Sequence, residues 1–186
     1  MPRIPQPATI ADTPEKSQPL LEAVARQLGS APNLFRLVAT SPQALEGYLG
    51  MSGALAKGSL PAATRERIAL AVAEVNGCDY CLSAHSFIAS NMARLDDAEI
   101  AANRGGGSHD AKADAAVRFA VTVTRERGHV SEADFAAVKL AGYSDAQIIE
   151  IVQHVALNTW TNYFNEVFRT EIDFPAVRSL AASKAA

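Results

Sequence analysis

Apolar residues recur three and four positions apart along most of this chain, and glycines and prolines interrupt the pattern at intervals. Alanine, leucine and glutamate favour helices and are frequent, whereas no run of six or more residues alternates as a strand would. The interruptions lie where helices should end or begin: Gly29, Gly58, Gly77, Gly128, Gly142, Pro42 and Pro61. The sequence therefore predicts an all-α fold.

The intervals between these breaks predict a bundle of about eight to ten helices. We expect them at residues 15–28, 32–40, 42–57, 61–76, 79–93, 96–103, 110–127, 131–141, 144–170 and 174–182. The glycine-rich segment 104–108 is interpreted as a linker between two of them. A phosphate-binding loop is the alternative, but neither a Gly-Lys-Ser/Thr ending nor a preceding strand supports it.

Length and composition indicate one domain with an N-terminal extension. The chain has 186 residues, of which 48% are hydrophobic, and this is enough for a core. Its proline-rich beginning predicts an extended arm. We expect an arm and first helix in residues 1–30, and a single all-α domain in residues 31–186.

The charge and hydropathy patterns exclude several classes of partner. There are 17 basic and 20 acidic residues, a net charge of −3, so neither nucleic acid nor an anionic membrane is indicated. No apolar run approaches the roughly 18 residues of a membrane span, and the N-terminus lacks the apolar core of a signal peptide. We therefore expect a cytoplasmic protein.

The only two cysteines, Cys78 and Cys81, lie close together in a segment that also contains a histidine. Gly77 should end one helix and Asp79 should begin the next, which places both sulfurs at a positive helix end that favours thiolate. His85 follows Cys81 by four residues, so the imidazole shares its helix face and can accept the thiol proton. This pattern predicts a thiol redox site with a pair able to form a disulfide.

Two carboxylates are candidates for a proton relay with the histidine. Glu66 lies on the preceding helix, which should run antiparallel to the cysteine helix, so it can approach His85; the alternative is a solvated surface charge. Glu74 is the second candidate and is better suited to a structural role. Tyr80 either donates a hydrogen bond to a leaving oxygen, holds a water or packs in the core.

The cysteine pair has two other interpretations. The pair can be buried structural cysteines, or it can bind zinc together with a histidine and a carboxylate. Structural zinc sites usually have four ligands and a second Cys/His pair, which this sequence lacks. We therefore expect neither a metal nor another cofactor.

A polar stripe runs along the predicted helix 144–170, with members four, four and three positions apart: His154, Asn158, Asn162 and Asn165. It is interpreted as a buried hydrogen-bond network, and the alternative is that part of it lines the thiol site. The helix also carries apolar and aromatic residues on more than one face, which predicts a homo-oligomer.

The motif Glu66-x11-Cys78-x-Tyr80-Cys81-x3-His85 is specific as a whole. It resembles the AhpD-like alkylhydroperoxidases of the carboxymuconolactone decarboxylase family, over roughly residues 40–125. The Pro32-Asn-Leu-Phe35 segment and the helix 154–165 are similar to the longer, peroxidase-related branch.

This resemblance implies an AhpD-like helical bundle that forms dimers, trimers or hexamers and reduces hydroperoxides as a peroxiredoxin-type antioxidant enzyme. Cys81 would attack the peroxide, Cys78 would resolve the product, and Glu66 and His85 would relay protons. An external dithiol would restore the thiols without a bound cofactor. Well-described members have histidine where this chain has Tyr80, which points to a weaker activity or a different substrate.

Two alternatives stay open within the same fold. One is a lactone decarboxylase, although such members generally do not depend on a cysteine pair. The other is a disulfide-exchange or binding module without peroxidase activity.

Overall fold

The computed structural model describes residues 1–180, and helices account for all of the regular structure in that range. Within residues 1–180, two short 3-10 turns, Ile10–Asp12 and Glu15–Ser17, precede nine α-helices. These are α1 (Gln18–Leu28), α2 (Asn33–Val38), α3 (Pro42–Ala56), α4 (Ala62–Asn76), α5 (Asp79–Asn91), α6 (Asp97–Arg104), α7 (Ala111–Arg125), α8 (Glu132–Leu140) and α9 (Asp145–Phe168). The all-α prediction is confirmed.

Helix α4 occupies the centre of the bundle and packs against α5, α6, α7 and α9. Its six consecutive residues Ile68–Ala73 are all buried. A helix buried on every side must be surrounded by other helices rather than lie on the surface. This central position brings one face of α4 against α5 and another against α9.

The junction between α4 and α5 follows the sequence prediction. Gly77 ends α4 in the left-handed conformation, at φ 69°, which glycine adopts without steric cost. The Cys78 N–H then bonds the carbonyl of Ala73 at 3.0 Å, and Asp79 begins α5. The turn is therefore closed by hydrogen bonds and places the two cysteines at the start of α5.

The predicted helix at 174–182 is wrong over residues 174–179, which are not helical, and residues 181–182 lie outside the described residues. The backbone here is held by side chains of α5 instead. The N–H of Val177 bonds Ser83 Oγ at 2.9 Å, and the N–H of Ser179 bonds Asp79 Oδ1 at 2.8 Å. These contacts use backbone donors that a helix would need for itself.

The glycine-rich segment 104–108 forms a turn that is tied to the buried carboxylate of Glu99. That carboxylate accepts hydrogen bonds from Asn103, from Ser108 and from the N–H of His109, and it pairs with Arg67 at 2.6 Å. An anionic side chain therefore occupies the position that a phosphate would need.

The N-terminal arm contacts the last long helix, since the N–H of Arg3 bonds the carbonyl of Phe168 at 2.9 Å. Within residues 1–180, no helix has both the length and the apolar character needed to cross a bilayer.

Candidate active site

Cys78 and Cys81 meet at the N-terminus of α5. Cys78 is the N-cap residue, and its sulfur accepts a hydrogen bond from the N–H of Cys81 at 3.5 Å. Both are free thiols, and both are buried, with 0% and 3% of their surfaces exposed. The Cys78 side chain is also close enough to the Cys81 thiolate to lower the pKa of that thiol. The two sulfurs are therefore direct neighbours at a positive helix end.

The packing of α4 against α5 brings Glu66 to the histidine. Its Oε2 atom lies 2.8 Å from His85 Nδ1. Glu74 is elsewhere, because its carboxylate pairs with Arg104 at 2.8 Å. Of the two carboxylates considered from the sequence, only Glu66 is in contact with His85.

Helix α9 supplies polar side chains around the sulfur of Cys81. Asn165 Nδ2 donates to Cys81 Sγ at 3.2 Å, and Thr161 Oγ1 lies 4.0 Å from the same atom. Asn162 is fully buried and accepts a hydrogen bond from Asn76 at 2.8 Å. Sequence reasoning did not assign Thr161 or Asn165 to the sulfur, although the four-four-three spacing marked the stripe on which Asn165 lies.

The two thiols have opposite proton affinities. The pKa of Cys81 falls to about 6, mainly because the Cys78 thiol can donate a hydrogen bond to the Cys81 thiolate. Burial acts in the opposite direction and raises the pKa. The charge of His85 and the amides of Asn162 and Asn165 lower the pKa further. The same hydrogen bond, together with burial, raises the pKa of Cys78. Cys81 is therefore the thiolate of the pair at neutral pH.

The imidazole of His85 is biased toward its protonated form. Burial acts to lower its pKa, but the charge and hydrogen bond of Glu66, with a contribution from the Cys81 thiolate, raise the pKa overall. The site thus favours a thiolate beside an imidazolium, which is the arrangement required for nucleophilic attack followed by proton donation.

Tyr80 directs its hydroxyl away from the cysteines. The hydroxyl donates to Asp173 Oδ1 at 2.9 Å and accepts from the N–H of Leu34 at 3.1 Å. The ring lines the cavity described below, so the residue is close to the site while its polar atom connects α5 to the C-terminal segment and to α2. Asp173 was not identified from the sequence, because it does not belong to any local motif.

A cavity of about 500 Å³ opens beside Cys81 and His85. Its walls are mainly apolar and come from α1, α2, α3, α5 and the C-terminal segment: Val24, Leu28, Leu34, Phe35, Tyr48, Leu49, Ile88 and Phe174. The stripe on α9 contributes His154 and Asn158. This volume accommodates an organic molecule of moderate size rather than only a small peroxide.

Within residues 1–180, no group of three or more His, Cys, Asp or Glu side chains is placed to hold a metal ion. The cysteines and His85 therefore do not have the companion ligands of a zinc site in this part of the chain.

Comparisons with known proteins agree with the all-helical fold. Residues 42–126 match the carboxymuconolactone decarboxylase family, and this span runs from α3 to the end of α7. No curated protein sequence matches the chain.

Solved structures match over nearly the full length. A peroxidase-related protein from Ralstonia eutropha JMP134, described as an alkylhydroperoxidase AhpD core, is 26% identical, with a TM-score of 0.82 and coverage of 92% of each chain. A peroxidase-related protein from Silicibacter sp. TM1040 is 25% identical, with a TM-score of 0.79 and coverage of 91% of this chain and 93% of the other.

The debrominase Bmp8, as a cysteine-to-alanine variant in complex with 2,3,4-tribromopyrrole, shares the fold at 21% identity, with a TM-score of 0.78 and coverage of 93% and 94%. The family match over residues 42–126 and the two peroxidase-related structures support a place for this chain in the carboxymuconolactone decarboxylase family, in its AhpD-like, peroxidase-related branch.

Proposed function

We propose that the protein is a thiol-dependent peroxidase that reduces hydroperoxides through a Cys78–Cys81 dithiol/disulfide cycle. The observation that carries this proposal is the placement of Cys81, whose sulfur accepts a hydrogen bond from Asn165 at 3.2 Å, whose N–H bonds Cys78 Sγ at 3.5 Å, and which lines an apolar cavity together with His85. These surroundings also lower the pKa of its thiol. Reactive cysteines need this combination of thiolate character and access to substrate.

In the first half of the cycle, the Cys81 thiolate attacks the terminal oxygen of the hydroperoxide. The O–O bond breaks, Cys81 becomes a sulfenic acid, and the protonated His85 gives its proton to the departing alkoxide, which leaves as an alcohol. Glu66 holds the imidazole through Nδ1 and favours the protonated ring between turnovers.

In the second half, the Cys78 thiol condenses with the sulfenic acid on Cys81. A disulfide forms and water leaves, and an external dithiol then reduces the disulfide to restore both thiols. The high pKa of Cys78 suits this order, because Cys78 stays protonated and donates to Cys81 until the attack has occurred.

Two single-cysteine variants test the cycle. Cys81→Ser should abolish peroxide consumption, whereas Cys78→Ser should consume one equivalent and stop with a sulfenic acid on Cys81. Mass spectrometry after trapping with dimedone identifies the modified residue. A sulfenic acid on Cys78 in the Cys81→Ser protein would reverse the roles, and unimpaired turnover in both variants would exclude the cycle.

Reductive dehalogenation of an aromatic substrate is a second candidate, favoured by the aromatic rings of Phe35, Tyr48 and Phe174 in the cavity wall. Here the two thiols supply two electrons, the carbon–halogen bond becomes a carbon–hydrogen bond, and a disulfide and halide are formed. Halide release from a bromopyrrole, measured beside peroxide consumption at equal enzyme concentration, distinguishes the two reactions.

The protein is also proposed to act as a homo-oligomer. Apolar side chains remain exposed in one stripe along α9: Ile149, Val152, Trp160, Tyr163 and Val167. A continuous exposed apolar stripe of this length is typical of an interface, and a second copy of the same helix offers a matching surface.

A further inference from the structure

Two polar side chains that the proposed peroxide chemistry does not use also line the cavity: Arg65 of α4 and His154 of α9. We refer to the part of the cavity wall around these two residues as its polar end. His154 precedes Thr161, the α9 neighbour of Cys81, by seven residues, which corresponds to about 10 Å along the helix. A ligand that reaches from one end to the other therefore needs a carbon skeleton between its two polar groups.

Arg65 carries a positive charge that is only partly used by the protein. Its guanidinium is half-buried and donates through Nη1 to the carbonyl of Leu55 at 3.1 Å. In the part of the chain that the structure describes, no carboxylate lies within ion-pair distance of it. A guanidinium has five N–H donors in a planar fork, so donors remain for a planar anion.

His154 provides a second, independent sign of a missing ligand. The residue is 6% exposed, and its Nε2 atom is buried without a hydrogen-bond partner among residues 1–180. A buried polar nitrogen without a partner destabilises a fold unless something else supplies the hydrogen bond. Since the imidazole ring lines the cavity, a ligand bound in the cavity can form a hydrogen bond with Nε2 once the ring turns toward it.

One cation and two carboxylates act on His154, and the cation acts most strongly. Burial lowers the pKa of His154 to about 4, and Arg65 is the next cause, ahead of the opposing charges of Glu150 and Glu66. Glu66 is bonded to His85, and Glu150 accepts hydrogen bonds from backbone N–H groups of the loop before α4. The positive charge of Arg65 is thus the largest single charge effect at His154.

We propose that the cavity binds an amphipathic acid hydroperoxide, with its carboxylate held by Arg65 and His154, its carbon chain along the apolar wall, and its O–O group at Cys81. The assignment of the O–O end rests on the proposed peroxidase function. The carboxylate subsite does not, because it depends only on the groups at the polar end of the cavity.

Binding of non-peroxide probes tests the subsite directly. Calorimetric titration of the reduced full-length protein should show that decanoate binds more tightly than 1-decanol. Arg65→Gln should weaken decanoate binding by about tenfold or more and leave 1-decanol unchanged, since a charge-assisted contact is lost. Arg125→Gln, at an exposed position on α7, is the matched control and should change neither.

Kinetics with a fatty-acid hydroperoxide and its methyl ester complete the test. Arg65→Gln should raise KM for the acid and leave kcat, and both constants for the ester, unchanged. Equal binding of decanoate and 1-decanol, or equal weakening of both by Arg65→Gln, overturns the subsite even if peroxide is consumed. Arg65-dependent decanoate binding without peroxide consumption instead keeps the subsite and refutes the proposed peroxidase function.

Discussion

The low pKa of Cys81 should depend chiefly on one neighbour, the thiol of Cys78. Cys78→Ala removes the donor, whereas Cys78→Ser replaces it with a hydroxyl that can also donate. A hydrogen bond to a charged group is worth about 1.5–3 kcal/mol, and one pKa unit corresponds to about 1.36 kcal/mol. We therefore expect the pKa of Cys81 to rise from about 6 to about 7–8 in Cys78→Ala and to stay near 6 in Cys78→Ser.

Each variant retains Cys81 as its single thiol, so the titration has no second contributor. The pH dependence of thiolate absorbance, checked by the rate of iodoacetamide alkylation, gives the pKa directly. Cys78 is also the N-cap of α5, and alanine at an N-cap costs about 1 kcal/mol of stability. A thermal melt of both variants confirms that the titrated protein is folded.

A common pKa near 6 in both variants would falsify the assignment to Cys78. The thiolate would then be held mainly by His85 and the amides of α9. Asn165→Leu separates these contributions, because it removes one neutral donor to Cys81 and leaves the charge of His85 in place.

Three other predictions concern the relay, the buried histidine and the assembly. Glu66→Gln should lower the pKa of the His85 imidazole and move the alkaline loss of peroxide turnover to lower pH by about one unit or more. Glu74→Gln should leave this pH profile unchanged. The opposite pattern would mean that Glu74, not Glu66, is the relay carboxylate. His154 has a folded pKa of about 4, below its ordinary value of about 6.5, so its contribution to stability is complete above pH 6.5 and lost as the pH falls toward 4. Denaturant unfolding should show wild type losing about 3 kcal/mol more than His154→Leu between pH 7 and pH 4, and parallel losses in the two proteins would contradict this. Light scattering should give a multiple of 19.7 kDa for the wild type. The double variant with Ile149→Glu and Tyr163→Glu, two exposed positions on α9, should have a lower mass. A wild-type monomer at micromolar concentration would refute the assembly.

The parts of the structure that were predicted correctly depend on local signals. Gly77 follows a helical pattern and adopts the left-handed conformation without steric cost, so the end of α4 and the start of α5 could be predicted from the sequence alone. Because the turn is short, α4 and α5 must pack side by side. The contact of Glu66 with His85 follows from that packing, although the sequence could not show whether Glu66 faces inward.

The parts that were missed depend on partners far away in the chain. Tyr80 and Asp173 are 93 residues apart, and Asn165 and Cys81 are 84 apart. Helical spacing showed that Asn165 belongs to one stripe with its neighbours, but not that its amide reaches the sulfur. The helix predicted at 174–182 was wrong over residues 174–179 for the same reason, since backbone donors there are taken by side chains of α5.

The proposed cycle requires two things near Cys81: hydrogen bonds that stabilise the buried thiolate, and a proton for the leaving group. Different residues supply them. A thiolate buried in an apolar cavity needs several hydrogen bonds, because burial alone raises its pKa. The thiol of Cys78 and the amide of Asn165 supply such bonds as neutral donors. In the proposed cycle, His85 delivers the proton, and Glu66 favours its protonated form. The pH at which attack begins and the pH at which proton donation fails would then be set by different residues. The two limbs of the pH profile should therefore move independently, the acid limb with changes at Cys78 or Asn165 and the alkaline limb with changes at Glu66.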